Sequence, residues 1–249
     1  MKCLLISFAL LLSGATLAAH AVEIRVLSAG AVEPGVQAFA RQAQGELGID
    51  LRIIFNTAPQ IAKRLADGEV FDILISPAAV IDKALEDGKV LAAGRVAIGR
   101  VGAGIAVRSA APAPDMATVE ALKQALLAAD SVVYNSASSG LYLDRLFASL
   151  GLFEQLQAKT TRYPNGAAVM EHLLNGHGNE IGFGAITEIK LYTAKGLNFV
   201  GPLPAEVQNY TSYDAALMRG ASSPDAAAVV LRQLATPAAK AAFTAAGIE

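Results

Sequence analysis

Gly68-Glu69-Val70-Phe71-Asp72-Ile73-Leu74-Ile75-Ser76 is the stretch on which the fold turns. From Phe71 to Ile75 it reads as a nearly continuous apolar strand, the pattern of a strand covered on both faces. The residues before it, Gln60 to Ala66, have helical composition and stop at Gly68, and Val80 to Glu86 behind it form another short helix ended by Gly88. A buried strand between two helices is the repeating unit of a mostly parallel sheet wound with helices.

The same alternation continues outward. Toward the N-terminus lie a strand at Glu23 to Leu27, a helix at Val36 to Gln44 and a strand at Leu51 to Phe55. A second series starts after Ile105-Ala106-Val107, with a helix from Thr118, a strand at Ser131 to Tyr134, and helices over Leu141 to Leu150 and Ala167 to Leu174. Strands at Ile181 to Ala185, Leu197 to Val200 and Tyr210 to Leu217 follow, then closing helices beginning at Pro224 and Pro237. No low-complexity linker divides the chain, so the pattern predicts two α/β halves that share crossovers.

The first residues read as a leader rather than as part of the fold. Met1 and Lys2 are followed by an apolar run from Cys3 to Leu12 and by Ala19-His20-Ala21, a small-residue cleavage pattern. This predicts a secretory signal peptide over residues 1–21, and export to the periplasm. The apolar run is shorter than the roughly 20 residues that a membrane-spanning helix needs. Cys3 is the single cysteine of the chain. The remainder therefore offers no thiol for disulfides, thiolate metal sites or nucleophilic catalysis. A formal net charge of -2, with no basic stripe, argues against nucleic-acid binding. Of three histidines, His20 falls in the leader, while His172 and His177 lack the i, i+4 spacing of helical metal ligands. Neither a metal nor a cofactor is expected.

Three strand-to-helix loops carry the candidate chemistry. They are Ser28-Ala29-Gly30-Ala31, Asn56-Thr57-Ala58-Pro59 and the serine-rich Asn135-Ser136-Ala137-Ser138-Ser139-Gly140. Ligands of open α/β sheets sit outside the carboxyl ends of the strands. Free N–H groups and the helix dipole favour an anion there, and small residues let it approach the backbone. The same residue types also serve as ordinary helix caps. The candidate binding residues are Ala29, Gly30, Ala31, Asn56, Thr57, Ala58, Ser136, Ser138, Ser139 and Gly140, with Tyr142 two residues beyond the third loop. Lys63, Arg64, Asp144 and Arg145 lie on the adjoining helices and read as weaker, solvated candidates.

With these loops placed, the chain resembles the periplasmic solute-binding proteins of ABC importers, in particular the molybdate-binding-like group. The likeness rests on Gly68 to Ser76, on Leu141 to Gly151, on Glu180-Ile181-Gly182-Phe183-Gly184, and on the close from Ala235-Thr236-Pro237 to Ala246-Gly247-Ile248. It implies an α/β, two-lobed fold of the type II binding-protein class, monomeric, with the ligand cleft between the lobes. Residues 22–105 and 208–249 would form lobe one and residues 106–207 lobe two, with crossovers near Gly99 to Ala106 and Gly201 to Gln208. Ala31, Ala58 and Ala185 stand where the resemblance implies side-chain donors to molybdate, and alanine has none to give.

The leading functional expectation is therefore a receptor that binds a small anion, an organic carboxylate rather than molybdate, for an inner-membrane ABC permease. The alternative is an isomerase on the same scaffold, because the group also resembles periplasmic aconitate isomerases, which move a proton within a tricarboxylate. Such chemistry needs a base and donors for an enolate oxygen. No histidine or acid in the loops stands out as that base, so the catalytic residue is left open among Glu33, Glu188 and Tyr142. A transcription regulator of similar architecture would need a DNA-binding helix-turn-helix where the leader stands.

Overall fold

The computed structural model describes residues 22–249, and the leader assigned to residues 1–21 lies outside the described residues. The chain runs β1 (Val22–Ala29), α1 (Glu33–Leu47), β2 (Ile49–Asn56), α2 (Ala58–Ala66), β3 (Ile73–Pro77), α3 (Ala78–Glu86) and β4 (Val96–Arg108). It continues through α4 (Val119–Ala128), β5 (Ser131–Asn135), α5 (Ser138–Ser149), α6 (Phe153–Gln157), β6 (Thr160–Tyr163), α7 (Gly166–Asn175), β7 (Glu180–Ala185) and α8 (Ile186–Lys190). It closes with β8 (Leu197–Pro202), β9 (Tyr210–Leu217), α9 (Pro224–Leu234) and α10 (Pro237–Ala245).

The strands line up in the order β2-β1-β3-β9-β4-β7-β5-β6, with β8 also paired to β4. β1 runs parallel to β2 and β3, and β5 parallel to β6 and β7. The centre differs from the expected parallel sheet, because β9 and β8 return antiparallel to their neighbours. β4 joins the two halves. Its residues from Val96 to Gly102 pair with β9, and those from Ala103 onward pair with β7 and β8.

Two main cores follow from this. One gathers β1, β3, β9, α1, α9 and α10 around Leu27, Phe39, Leu74, Leu231 and Phe243, and the rings of Phe39 and Phe243 stack 6.4 Å apart. The other gathers β4, β5, β7, α4 and α5 around Ile105, Leu143, Phe147 and Phe183. A smaller cluster holds α7 through Val169, Met170 and Leu173. Along β4, Val101 belongs to the first core and Ala103 to the second, so the chain changes lobe at Gly102. It returns after Leu203, which packs in the second core, to Tyr213, which packs in the first.

Local chemistry explains most element ends. Val36, Phe39 and Ala43 recur at helical spacing and bury the inner face of α1. Thr118, Asn165 and Thr236 cap α4, α7 and α10 by accepting the N–H of the third residue onward. β3 is buried at every position, as its composition implies. Asp72, just before it, is buried and accepts from the Arg25 N–H (2.8 Å), the Ser223 N–H (3.0 Å) and the Ser222 hydroxyl (2.9 Å). Burial pushes its pKa up, but these hydrogen bonds prevail and leave it below the usual carboxylate value. One side chain thus ties β1, β3 and the start of α9 together.

The observed helices begin earlier than the pattern suggests. α5 starts at Ser138 and not Leu141, so Ser138, Ser139 and Gly140 are its first turn and not loop. The periodic apolar residues that reveal a helix in sequence start only after that polar turn. β6, α6 and α8 were not legible, being four or five residues long and too short to show a period. β4 extends nine residues upstream of Ile105 to Val96, where Gly99, Gly102 and Gly104 dilute the strand signal.

Candidate functional site

A cavity of about 340 Å³ opens between the two lobes, at the small end of the range for small-molecule sites. The carboxyl ends of β1, β2, β3, β5 and β7 supply Ala29, Asn56, Pro77, Asn135 and Ala185 to its wall. The first turns of four longer helices meet there: the turn Gly30–Val32 leading into α1, Thr57–Ala58 of α2, Ala137–Ser139 of α5 and Asn165–Ala167 of α7.

First-turn N–H groups have no acceptor within their own helix. Caps satisfy some of them. The Gln60 side chain accepts from the Thr57 N–H at 2.9 Å. The Asn135 carbonyl oxygen accepts from the N–H groups of Ala137 (2.9 Å) and Gly140 (3.3 Å), and Ser139 bonds the same amide at 3.1 Å. The Asn165 carbonyl oxygen takes the Ala168 N–H at 2.8 Å. The N–H groups of Ser138, Gly166 and Ala167 lie ahead of these capped positions, in the first turns that line the cavity. Together with the positive helix ends they favour an anion.

The charged residues of the lining are two glutamates. Glu33 opens α1 and accepts from the Gln37 amide at 2.7 Å, and burial raises its pKa. Glu188 sits in α8, and its carboxyl lies against Gly166 and Gly30. Burial, helped by the negative charge of Glu33 and opposed by a hydrogen bond from the Ala185 backbone, pushes its pKa up to about 7. Tyr213 of β9 is buried at the cavity, and its phenol is raised by burial and then by the charge of Glu188, against the Thr211 hydroxyl. It stays protonated and able to donate. The Thr187 hydroxyl donates to the Ala31 carbonyl and fastens α8 to the first lobe. Asn56 directs its amide N–H to Gln60, and its carbonyl oxygen is buried without a partner.

Ala29, Gly30, Ala31, Asn56, Thr57, Ala58, Ser138 and Ser139, all singled out in the sequence, come together in this lining, as does Ala185. Three candidates lie off it. Tyr142 turns its hydroxyl onto the Val207 carbonyl at 2.6 Å and packs on the second core, so its polar end is already engaged away from the cavity. Ser136 is exposed ahead of the helix, and Gly140 is buried against the Asn135 carbonyl. The flanking charges are also elsewhere. Lys63 and Arg64 pair with Asp67 and Glu69, Asp144 pairs with Arg162, and Arg145 is exposed. Of the lining residues not singled out, Asn165 and Gly166 had a readable cue, an Asn-Gly pair at the start of a helix. Asn209, Thr211 and Tyr213 had none, since only the return of β9 beside β4 brings them there.

The family of bacterial extracellular solute-binding proteins matches residues 24–249. A protein from Pseudomonas sp named aconitate isomerase is 32% identical over 247 residues, covering 96% of this chain and 93% of its own. Among solved structures, the periplasmic molybdate-binding protein of Azotobacter vinelandii superposes with a TM-score of 0.75 at 16% identity, covering 91% of this chain and 98% of that one. The sulfate-binding protein of Mycobacterium tuberculosis gives 0.74 at 16% identity, with 91% and 86% covered. These likenesses establish the two-lobed type II binding-protein fold that the sequence resemblance implied. A match over nearly the whole described chain, with the cleft where that fold places it, makes this protein a member of the bacterial extracellular solute-binding protein family.

Proposed function

We propose that this protein is an exported isomerase that shifts a proton within a small unsaturated polycarboxylate of the aconitate kind. The observation that carries the reading is Glu188, a carboxyl in the interlobe cavity with a pKa of about 7. A general base works best when its pKa lies near the operating pH. The full-length similarity to a protein named aconitate isomerase supports the same reading.

In this scheme the substrate carboxylates lie against the first-turn N–H groups of α2, α5 and α7. Ionised Glu188 takes a proton from the methylene carbon beside a carboxylate. The electron pair left behind spreads over the allylic carbons and the carboxylate, where the Tyr213 hydroxyl and the helix N–H groups offer hydrogen bonds. Protonated Glu188 then returns the proton to the other end of the allylic system. No atom is gained or lost and no redox partner is needed. Ala31, Ala58 and Ala185 leave a smooth wall for the carbon skeleton.

A second reading is favoured by the architecture, which this chain shares with molybdate- and sulfate-binding proteins. In it the same site holds a carboxylate without turnover and delivers it, as a monomer, to an inner-membrane ABC permease. Incubating the purified protein with trans-aconitate in D2O separates the two by proton NMR. Deuterium uptake or cis product, abolished in Glu188→Gln, is the expected result. Tight binding with no exchange over many protein equivalents would leave the transport reading in place.

A further inference from the structure

We propose that Gly166 is a positioning residue for the Glu188 carboxyl: with Gly30 it forms a two-sided notch, one wall from each lobe, that seats this carboxyl at the cavity. The inference rests on the reading of Glu188 as the proton-transferring group. A Cβ built on Gly166 would stand 2.2 Å from Oε2, 2.7 Å from Cδ and 3.0 Å from Oε1 of Glu188. One built on Gly30 would stand 3.3 Å from Oε1. The carboxyl therefore occupies the space that any side chain at position 166 would need, and nearly touches the opposite wall.

Backbone conformation does not account for glycine here. Gly166 is the first residue of α7 and is not among the glycines with positive φ. Alanine is the better helix former, so the helix alone would favour it. Asn165 already caps α7 through the Ala168 N–H, and Thr187 already holds α8 to the Ala31 carbonyl. Both walls are thus fixed, and a methyl group on one of them can be relieved only by moving the carboxyl. Motion away from the notch takes it into the cavity, toward water and toward the space a substrate would fill.

The test compares the wild-type chain with G166A, G30A, E188Q, E188D and the double variant G166A/E188D. Readouts are deuterium uptake by trans-aconitate, the melting temperature, and a carbon-13 titration of the Glu188 carboxyl assigned by its loss in E188Q. G166A is expected to melt no lower than wild type, to move the Glu188 titration toward the ordinary carboxylate range, and to lower kcat about tenfold or more with a smaller change in KM. G30A should show the same effects more weakly. The double variant should be more active than the product of its two single effects, because the shorter Asp side chain clears the new methyl.

An unchanged Glu188 titration in G166A overturns the proposal, whether or not the melting temperature falls. So does a double variant whose effects simply multiply. The underlying reading fails separately. An E188Q variant that exchanges deuterium at the wild-type rate removes the base and leaves the titration to decide the notch. An inactive E188Q beside a G166A of wild-type rate and titration removes the notch alone.

Discussion

Glu188 carries a charge whose cost depends on pH. Its pKa in the fold is about 7, above that of a free glutamate. The folded state therefore holds a proton that the unfolded chain has released between roughly pH 4.5 and 7. Below that window the group is neutral in both states. As pH rises through it, stability is lost, by on the order of 2–3 kcal/mol for this one group. Glu188→Gln removes the titration. The variant should match wild type near pH 4 and exceed it by that amount near pH 8, as read by urea denaturation at both values. Equal stability at pH 8 would mean the carboxyl is better solvated than its place between Gly30 and Gly166 implies. Asp72 shows the opposite balance, since three donors hold it ionised where Glu188 has far fewer. A carboxyl in an apolar strand was visible in the sequence, but its partners lie 47 to 151 residues away and were not.

Among the elements, β4 connects the lobes and is the least regular. Its pairing with β9 shifts register between Ala97 and Gly99. Gly99 has φ of 142°, a conformation that side chains rarely adopt. The end of the chain docks beside it, where the Arg100 N–H donates to the Glu249 carbonyl at 2.7 Å and the Glu249 N–H returns a bond to the Arg100 carbonyl at 3.0 Å. A Cβ on Gly99 would stand 2.6 Å from the Glu249 carbonyl oxygen. Gly99→Ala should therefore cost on the order of 1–3 kcal/mol and release the last residues. Hydrogen exchange at the Arg100 and Glu249 amides would report it, and unchanged protection at both would refute the strain argument. This strand also shows where pattern reading stops. Glycines that the bulge and the close docking require are the residues that blur a β signal.

At the scale of the whole molecule, the site exists only because the lobes meet. α1, α2 and β9 bring one wall, and α5, α7 and α8 the other. A ligand that touches both walls stabilises the folded chain by mass action, by about 2.7 kcal/mol at a hundredfold excess over Kd. With Glu33 and Glu188 as the charged groups of the lining, ionisation of Glu188 adds repulsion toward a polycarboxylate. The rise in melting temperature produced by trans-aconitate should thus be larger at pH 6 than at pH 8, and Glu188→Gln should narrow that difference. A rise that grows with pH would place the carboxylates away from Glu188.

What the sequence determined by itself was the scaffold. The buried strand around Phe71 to Ile75, the alternation on either side and the small-residue loops at strand ends are local patterns, and local patterns follow from side-chain size, polarity and backbone freedom. Eight of the residues they single out line a single cavity of the folded chain. The tertiary structure decided which titratable group matters. Glu188 was one of three candidate bases, and nothing near it in sequence sets it above Glu33 or Tyr142. Only the fold buries its carboxyl between Gly30 and Gly166, places the charge of Glu33 near it and turns Tyr142 away to Val207. A proton affinity depends on the dielectric and the charges around a group, and those come from residues that folding alone brings together.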